Sequence, residues 1–357
     1  MTPTKTLLHI IGSPFCETEP FDPHMSGFNA QDLYDYAVKN KIGLLYLKSL
    51  KNRDLLDYLN MRSLWNDEIC RHQQQRITAA NISSQLNYLG SDYALFKSIF
   101  HFPATPNDVD ILIFDSEGGY QEILDYLPSV GYRKIEETPS PSEVMFHDLR
   151  ECDHSDMRLK DIFDIDLYRE AGASHVVYLD KTKLRRYVTT EMIEGTEVKV
   201  FSPETELVTI IAHAIIPEQI TTLLVYYASL YYLKGPFNLD LFLRIAQENY
   251  VIFPLRIYFT IAASLHEMAH GFVPEPIEYI LARIGRLSAE GKQFKSSGFI
   301  MPYRCSTTSA LKTIVSKLGE NTFRKSMCRQ MTSMVQNPEL TKWVVKNLIW
   351  RRTRDTY

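Results

Sequence analysis

An α+β (or α/β) fold is predicted, a small mixed sheet set between an N-terminal and a C-terminal helical region, and three changes of texture predict it. Residues 29–89 keep a helix-like apolar period with few breakers. From about Ser91 short aliphatic runs alternate with Pro- and Gly-bearing loops, the pattern of strands. After about Phe201 helical periodicity returns. The expected organisation is therefore a helical region over 1–90, a sheet domain over 91–200 and a helical domain over 201–357.

In the first region AQDLYDYAVKNKIGLLYLKSL places Leu33, Tyr36, Ala37, Leu44, Leu47 and Leu50 near one helical face, and LWNDEICRHQQQRITAANISSQLNYL continues without proline or glycine. In the sheet domain VDILIF reads as a buried strand after the loop HFPATPN, GYQEILDYLPSVGYRK as a helix ending at Gly131, and SEVMFHDL and MRLKDIFDIDLY as two further strands. The third region opens with Ser202 as N-cap, Pro203 at the first helical position and Glu204 in the first turn. NLDLFLRIAQENY, FPLRIYFTIAASLHEMAHGF and PEPIEYILARIGRLSAEG supply more helices.

Composition sets limits. The 357 residues are 45% hydrophobic and 23% charged, with a formal net charge of −4, which argues against coating nucleic acid by bulk charge. A basic strip at the end, Lys342, Lys346, Arg351, Arg352 and Arg354, reads as a solvated amphipathic helix, with a phosphate or RNA contact as the alternative. Five cysteines without a C-x-x-C pair fit free thiols and a cytoplasmic setting. The run LLHII is too short for a secretory core, and the apolar stretch over 207–233 is broken by His213 and by Pro217-Glu218-Gln219, so no membrane span is expected.

Two acid pairs carry the chemistry. Asp108 and Asp110 enter one strand, and Asp164 and Asp166 lie within another. Side chains alternate along a strand, so each pair shares a face. Carboxylates among Val109, Ile111, Leu112 and Ile113 need neutralisation by a metal, a partner or a proton. Two carboxylates from one strand and a third from its neighbour can hold two Mg²⁺ ions, hard cations that also bind phosphates and serve in-line displacement at phosphorus. The plainer reading places these acids at strand ends, solvated or paired with Arg158, Lys160 or Arg169.

With ALFKS (94–98), NDVDILI (107–113), FDIDLY (163–168) and FSPETELVTIIAHAI (201–215) in place, the chain resembles the uncharacterised nucleotidyltransferase family of the DNA-polymerase-beta-like superfamily. The resemblance implies a magnesium-dependent enzyme that moves a nucleoside monophosphate from a nucleoside triphosphate to an acceptor hydroxyl and releases pyrophosphate. It implies Asp108 and Asp110 as the metal pair and Asp166 as the third carboxylate, with Asp164 as the alternative. Lys97, and Ser98 beside it, would contact the triphosphate. The acceptor is a small molecule, a protein side chain or an RNA end. Where the family carries a glycine beside its lysine, or the superfamily a Gly-Ser turn, this chain has Lys97-Ser98. A catalytically silent nucleotidyltransferase-like binding module is therefore kept as an alternative.

One motif points elsewhere. HEMAH (266–270) has the spacing of a zinc-hydrolase helix, with His266 and His270 as ligands and Glu267 as base. The metzincin continuation is missing, since positions 273 and 276 are valine and proline, and Glu278 and Glu290 are the acids available as a further ligand. Ile257, Ile261, Leu265, Met268, Ala269 and Phe272 form an apolar stripe beside the histidines, which gives the segment a packing role without metal. His213 reads as a satisfied core histidine, Cys152-Asp153-His154 as neighbours that do not face each other, and the tyrosines of VYYASLYYL as helix packing.

Overall fold

The computed structural model describes residues 2–16, 29–135, 142–149, 163–173, 176–336 and 341. Helices α1 (Pro3–Ile11), α2 (Ala30–Lys39), α3 (Gly43–Lys51) and α4 (Arg62–Tyr88) come first. The sheet region follows with β1 (Tyr93–Leu95), β2 (Asp108–Ile113), α5 (Glu117–Ser129), β3 (Tyr132–Lys134), β4 (Glu143–Asp148) and β5 (Asp164–Tyr168). It continues through a short pair, β6 (Gly172–Ala173) and β7 (Val176–Val177), then α6 (Lys181–Leu184), β8 (Val188–Ile193) and β9 (Thr196–Phe201). Next come α7 (Pro203–Ile215), β10 (Ile220–Thr221), α8 (Leu223–Lys234), α9 (Leu239–Glu248) and α10 (Ile252–His270). The described chain closes with α11 (Glu275–Ile284), α12 (Ser288–Ser296), β11 (Tyr303–Arg304), α13 (Thr307–Lys317) and α14 (Asn321–Gln336).

The fold is α+β, as predicted. One mixed sheet runs in the order β3-β4-β5-β2-β1-β9-β8, parallel between β2 and β5 and between β1 and β9, antiparallel at the other pairs. Both faces are covered, and strand alternation sorts the residues between them. Val109, Ile111 and Ile113 of β2, with Ile165 and Leu167 of β5, bury against α4 and α5. Ala94, Leu112 and Tyr168 face the opposite way, into a core shared with α1, α3, α7, α8 and α10. Asp108 and Asp110 have the parity of Leu112 and so belong to this second face.

Several elements lie where the sequence reading placed none. The hairpin β8–β9 alternates in VTTEMI and TEVKVF across Glu194-Gly195, both at positive φ (46° and 79°), the backbone of a tight hairpin turn. Tyr93–Leu95 is a short central strand, Tyr132–Lys134 pairs with β4 after the helix ends, and PTKTLLHII is a helix capped by Thr2. The predicted cap of α7 is present: the Ser202 hydroxyl accepts from the Thr205 amide, with Pro203 at the start and Glu204 and Glu206 in the first turn. The strand read in MRLKDIFDIDLY is Asp164–Tyr168, and the first six residues of that segment, Arg158 and Lys160 among them, lie outside the described residues. So do Cys152-Asp153-His154 and the basic strip at 342–354. Among the described residues, no helix is long and apolar enough to cross a membrane.

Candidate metal centre

The parallel register of β2 and β5 pairs Asp108 with Asp164 and Asp110 with Asp166, which puts all four acids on the sheet face turned towards the later helices. Three of them converge. One carboxylate oxygen each from Asp108, Asp110 and Asp166 lies within 4.8 Å of the others, the one such cluster of three or more His, Cys, Asp or Glu among the described residues. Asp164 is drawn away, its Oδ1 bonded to His147 Nε2 from the paired position on β4. Arg169 pairs with Glu117 instead of with any of the four acids.

Asp110 and Asp166 are 3% and 8% exposed, and one oxygen of each, Oδ1, is buried without a hydrogen-bond partner. Such orphaned acceptors are costly, and a hard cation is the partner that oxygen donors fit. Burial, then the charges of Asp110, Asp108 and Glu143, push the Asp166 carboxyl well above the usual range. Asp110 is also pushed up by burial, with Lys97 opposing and Asp108 reinforcing the rise. Lys97 Nζ lies 3.1 Å from Asp110 Oδ2. Burial works against the lysine charge, but Asp110, Tyr178 and Asp108 outweigh it and hold the ammonium protonated.

The Lys97-Ser98 segment takes up, without a glycine, a backbone conformation that glycine adopts more readily. Lys97 itself takes the left-handed conformation, φ 59°, which side-chain-bearing residues rarely adopt. Its backbone N–H donates to Glu206 Oε1 at 2.5 Å, a carboxylate from the first turn of α7. Ser98 is buried: its hydroxyl donates to the Phe96 carbonyl and accepts from the Asp110 amide at 2.8 Å, while Gln75 holds its carbonyl. Glu206 was not singled out from the sequence, because an acid in a helix's first turn is already accounted for by the dipole.

Glu206 offers a pH test. Burial, opposed by the Lys97 N–H, raises its carboxyl to about 8, so it is largely protonated at neutral pH. A carboxyl raised on folding lends stability that is complete below its unfolded value and is lost as pH climbs through the folded one. Glu206→Gln keeps an acceptor and removes the proton, so the variant should gain on the wild type as pH rises from about 4.5 to about 8. Parallel urea-unfolding profiles across that window would contradict this placement of the proton.

The HEMAH helix does not build a zinc site. His266 is fully buried, with Nε2 bonded to Ser13 Oγ and Nδ1 to the Phe272 carbonyl, each at 2.8 Å, so neither nitrogen has a lone pair free for metal. His270 stacks against His9, Glu267 sits 3.7 Å from Lys295, and Glu290 is taken up by Tyr303, Ser306 and Ser309. The zinc expectation fails because α1 packs against the end of α10, its His9 and the Ser13 that follows it supplying partners about 250 residues away in sequence.

With this geometry in view, likeness to known proteins adds little. No family model matches the chain, and no curated protein matches it. Among solved structures, the crystal structure of an antigenic nucleotidyltransferase-like protein from Paracoccidioides brasiliensis aligns at 15% identity with a TM-score of 0.30, covering 62% of this chain and 91% of that one. So slight a likeness carries no argument. The site stands on its own residues.

Proposed function

We propose that the chain is a magnesium-dependent nucleotidyltransferase, transferring a nucleoside monophosphate from a nucleoside triphosphate to an acceptor hydroxyl with release of pyrophosphate. The observation that carries the reading is the convergence of Asp108, Asp110 and Asp166, with orphaned buried oxygens on two of them. An all-oxygen donor set suits Mg²⁺, which, when bound, supplies charge for the phosphates and lowers the pKa of the attacking hydroxyl. On this reading Asp108 and Asp110 hold metal and triphosphate together. Asp166 would face the acceptor side and, held as a carboxylate with the other two aspartates, would help to deprotonate the acceptor hydroxyl. Lys97 turns its ammonium to the triphosphate, and Ser98 fixes the loop that presents it.

The test is calorimetric titration of ATP into wild type, Asp108→Asn and Asp110→Asn, with and without Mg²⁺. The expected result is binding that needs Mg²⁺ and weakens about 100-fold or more in each variant, since a buried charged contact is worth roughly 3 kcal/mol. Binding that is absent, or unchanged in both variants, rejects the enzyme. The silent-module alternative predicts the first of those results, with the Lys97 ammonium remaining on Asp110 in place of metal.

A further inference from the structure

Tyr178, just after β7, is fully buried, and its hydroxyl lies 3.2 Å from Nδ1 of His213 on α7, the rings tilted with centroids 5.6 Å apart. The pair borders the carboxylate cluster: Tyr178 lies within electrostatic reach of Lys97 and Asp110, and His213 within reach of Lys97. His213 does find a partner, as a core histidine should, but it is only half-buried. Among the described residues its Nε2 has no hydrogen-bond partner, and it is not a fully buried atom.

Donor and acceptor roles fix the tautomer. A buried phenol whose sole hydrogen-bond partner among the described residues is His213 Nδ1 gives its proton there, because otherwise the O–H would be buried without an acceptor. Nδ1 is then the accepting nitrogen, and Nε2 carries the hydrogen. The ring also stays neutral: burial, then the charges of Lys97 and Lys41, hold its pKa well below the usual value. Glu218 acts on the pair from beyond α7 through Tyr178, and weakly. His213 thus cannot serve as a base through Nδ1. It is a fixed neutral donor within electrostatic reach of Lys97, the residue that the proposed function turns towards the triphosphate.

The geometry points to His213 as a triphosphate-binding residue, donating from Nε2 to an anionic phosphate oxygen, with Tyr178 as the positioning residue that holds its ring and tautomer. This rests on the nucleotidyltransferase reading and extends it by assigning a phosphate contact to α7. The donor adds no charge, so it complements the lysine without repelling metal from the three aspartates.

The experiment titrates inorganic tripolyphosphate with Mg²⁺ into wild type, His213→Ala, His213→Gln, Tyr178→Phe and Asp110→Asn between pH 6 and 8. His213→Ala is expected to weaken binding about tenfold, as loss of one hydrogen bond to a charged group does. Glutamine, whose amide donates from nearly the same place, should restore most of it. Tyr178→Phe removes the donor that fixes the tautomer while burial and Lys97 keep the ring neutral, so affinity should fall part of the way towards that of His213→Ala throughout this pH range, and the ¹⁵N shifts of the His213 ring should show mixed tautomers where the wild type shows the Nε2–H form alone. Melting curves of all five proteins check that they fold. Equal affinity in wild type and His213→Ala, with Asp110→Asn inactive, overturns the inference and leaves the enzyme reading intact. Failure of the wild type to bind overturns both.

Discussion

Replacing Asp166 with asparagine is expected to raise the melting temperature of the metal-free protein while removing Mg²⁺-dependent triphosphate binding. Asp166 is buried, one oxygen lacks a partner, and among the described residues no cation offsets Asp110, Asp108 and Glu143 as closely as Lys97 does at Asp110. Asparagine keeps the shape, carries no charge and brings two donors to a cluster of acceptors. Relief of about 1–3 kcal/mol is reasonable, because each unit of pKa shift corresponds to about 1.4 kcal/mol and the cluster shares its protons. In a chain of this size that amounts to roughly a few degrees in melting temperature. The sign with pH follows from the raised carboxyl. Its folded value exceeds its unfolded one, so the wild type loses stability as pH rises, and the advantage of the variant should widen between about pH 4 and about 9. Scanning calorimetry without metal, paired with nucleotide titration, checks both halves. A lower melting temperature, or retained binding, counts against the site.

Lys97→Met is expected to act in the opposite direction on the same cluster. Methionine fills the space of the lysine stem but leaves Asp110 buried without its cation, a loss of about 3–5 kcal/mol for one half of a buried ion pair. Saturating Mg²⁺ should return much of that stability, because a cation on the three carboxylates replaces the missing charge. Urea unfolding of wild type and variant with and without Mg²⁺ makes the comparison. An identical deficit in both conditions would show that the cluster does not take the ion. Both results together describe a trade between stability and function, since charges that strain the metal-free fold are those a metal-dependent reaction requires.

What the sequence determined by itself was local in origin. Period-two alternation makes Asp108 and Asp110 share a face, as it does Asp164 and Asp166, whatever the rest of the chain does. Helical periodicity and the Ser202-Pro203-Glu204 start of α7 belong to the same class, as does the aliphatic strand that carries the acids into the core. The hairpin at Glu194-Gly195 was also written locally, in alternation around a turn residue, and shows that a Glu-Gly turn speaks more faintly than Asn-Gly.

Tertiary structure decided the rest, because each remaining question turned on a partner far along the chain. Both acids of FDID have the same parity, so only the contact between strands selects between them, with His147 of β4 taking Asp164 and leaving Asp166 to the cluster. A lysine stands at the positive-φ position because Glu206, 109 residues away, holds its amide. HEMAH has the spacing for zinc, yet its first histidine is fully bonded because α1 folds back to place Ser13 against it. Backbone periodicity is encoded over a few residues, whereas the lone pairs and charges that decide whether a motif works are satisfied only by packing between distant segments.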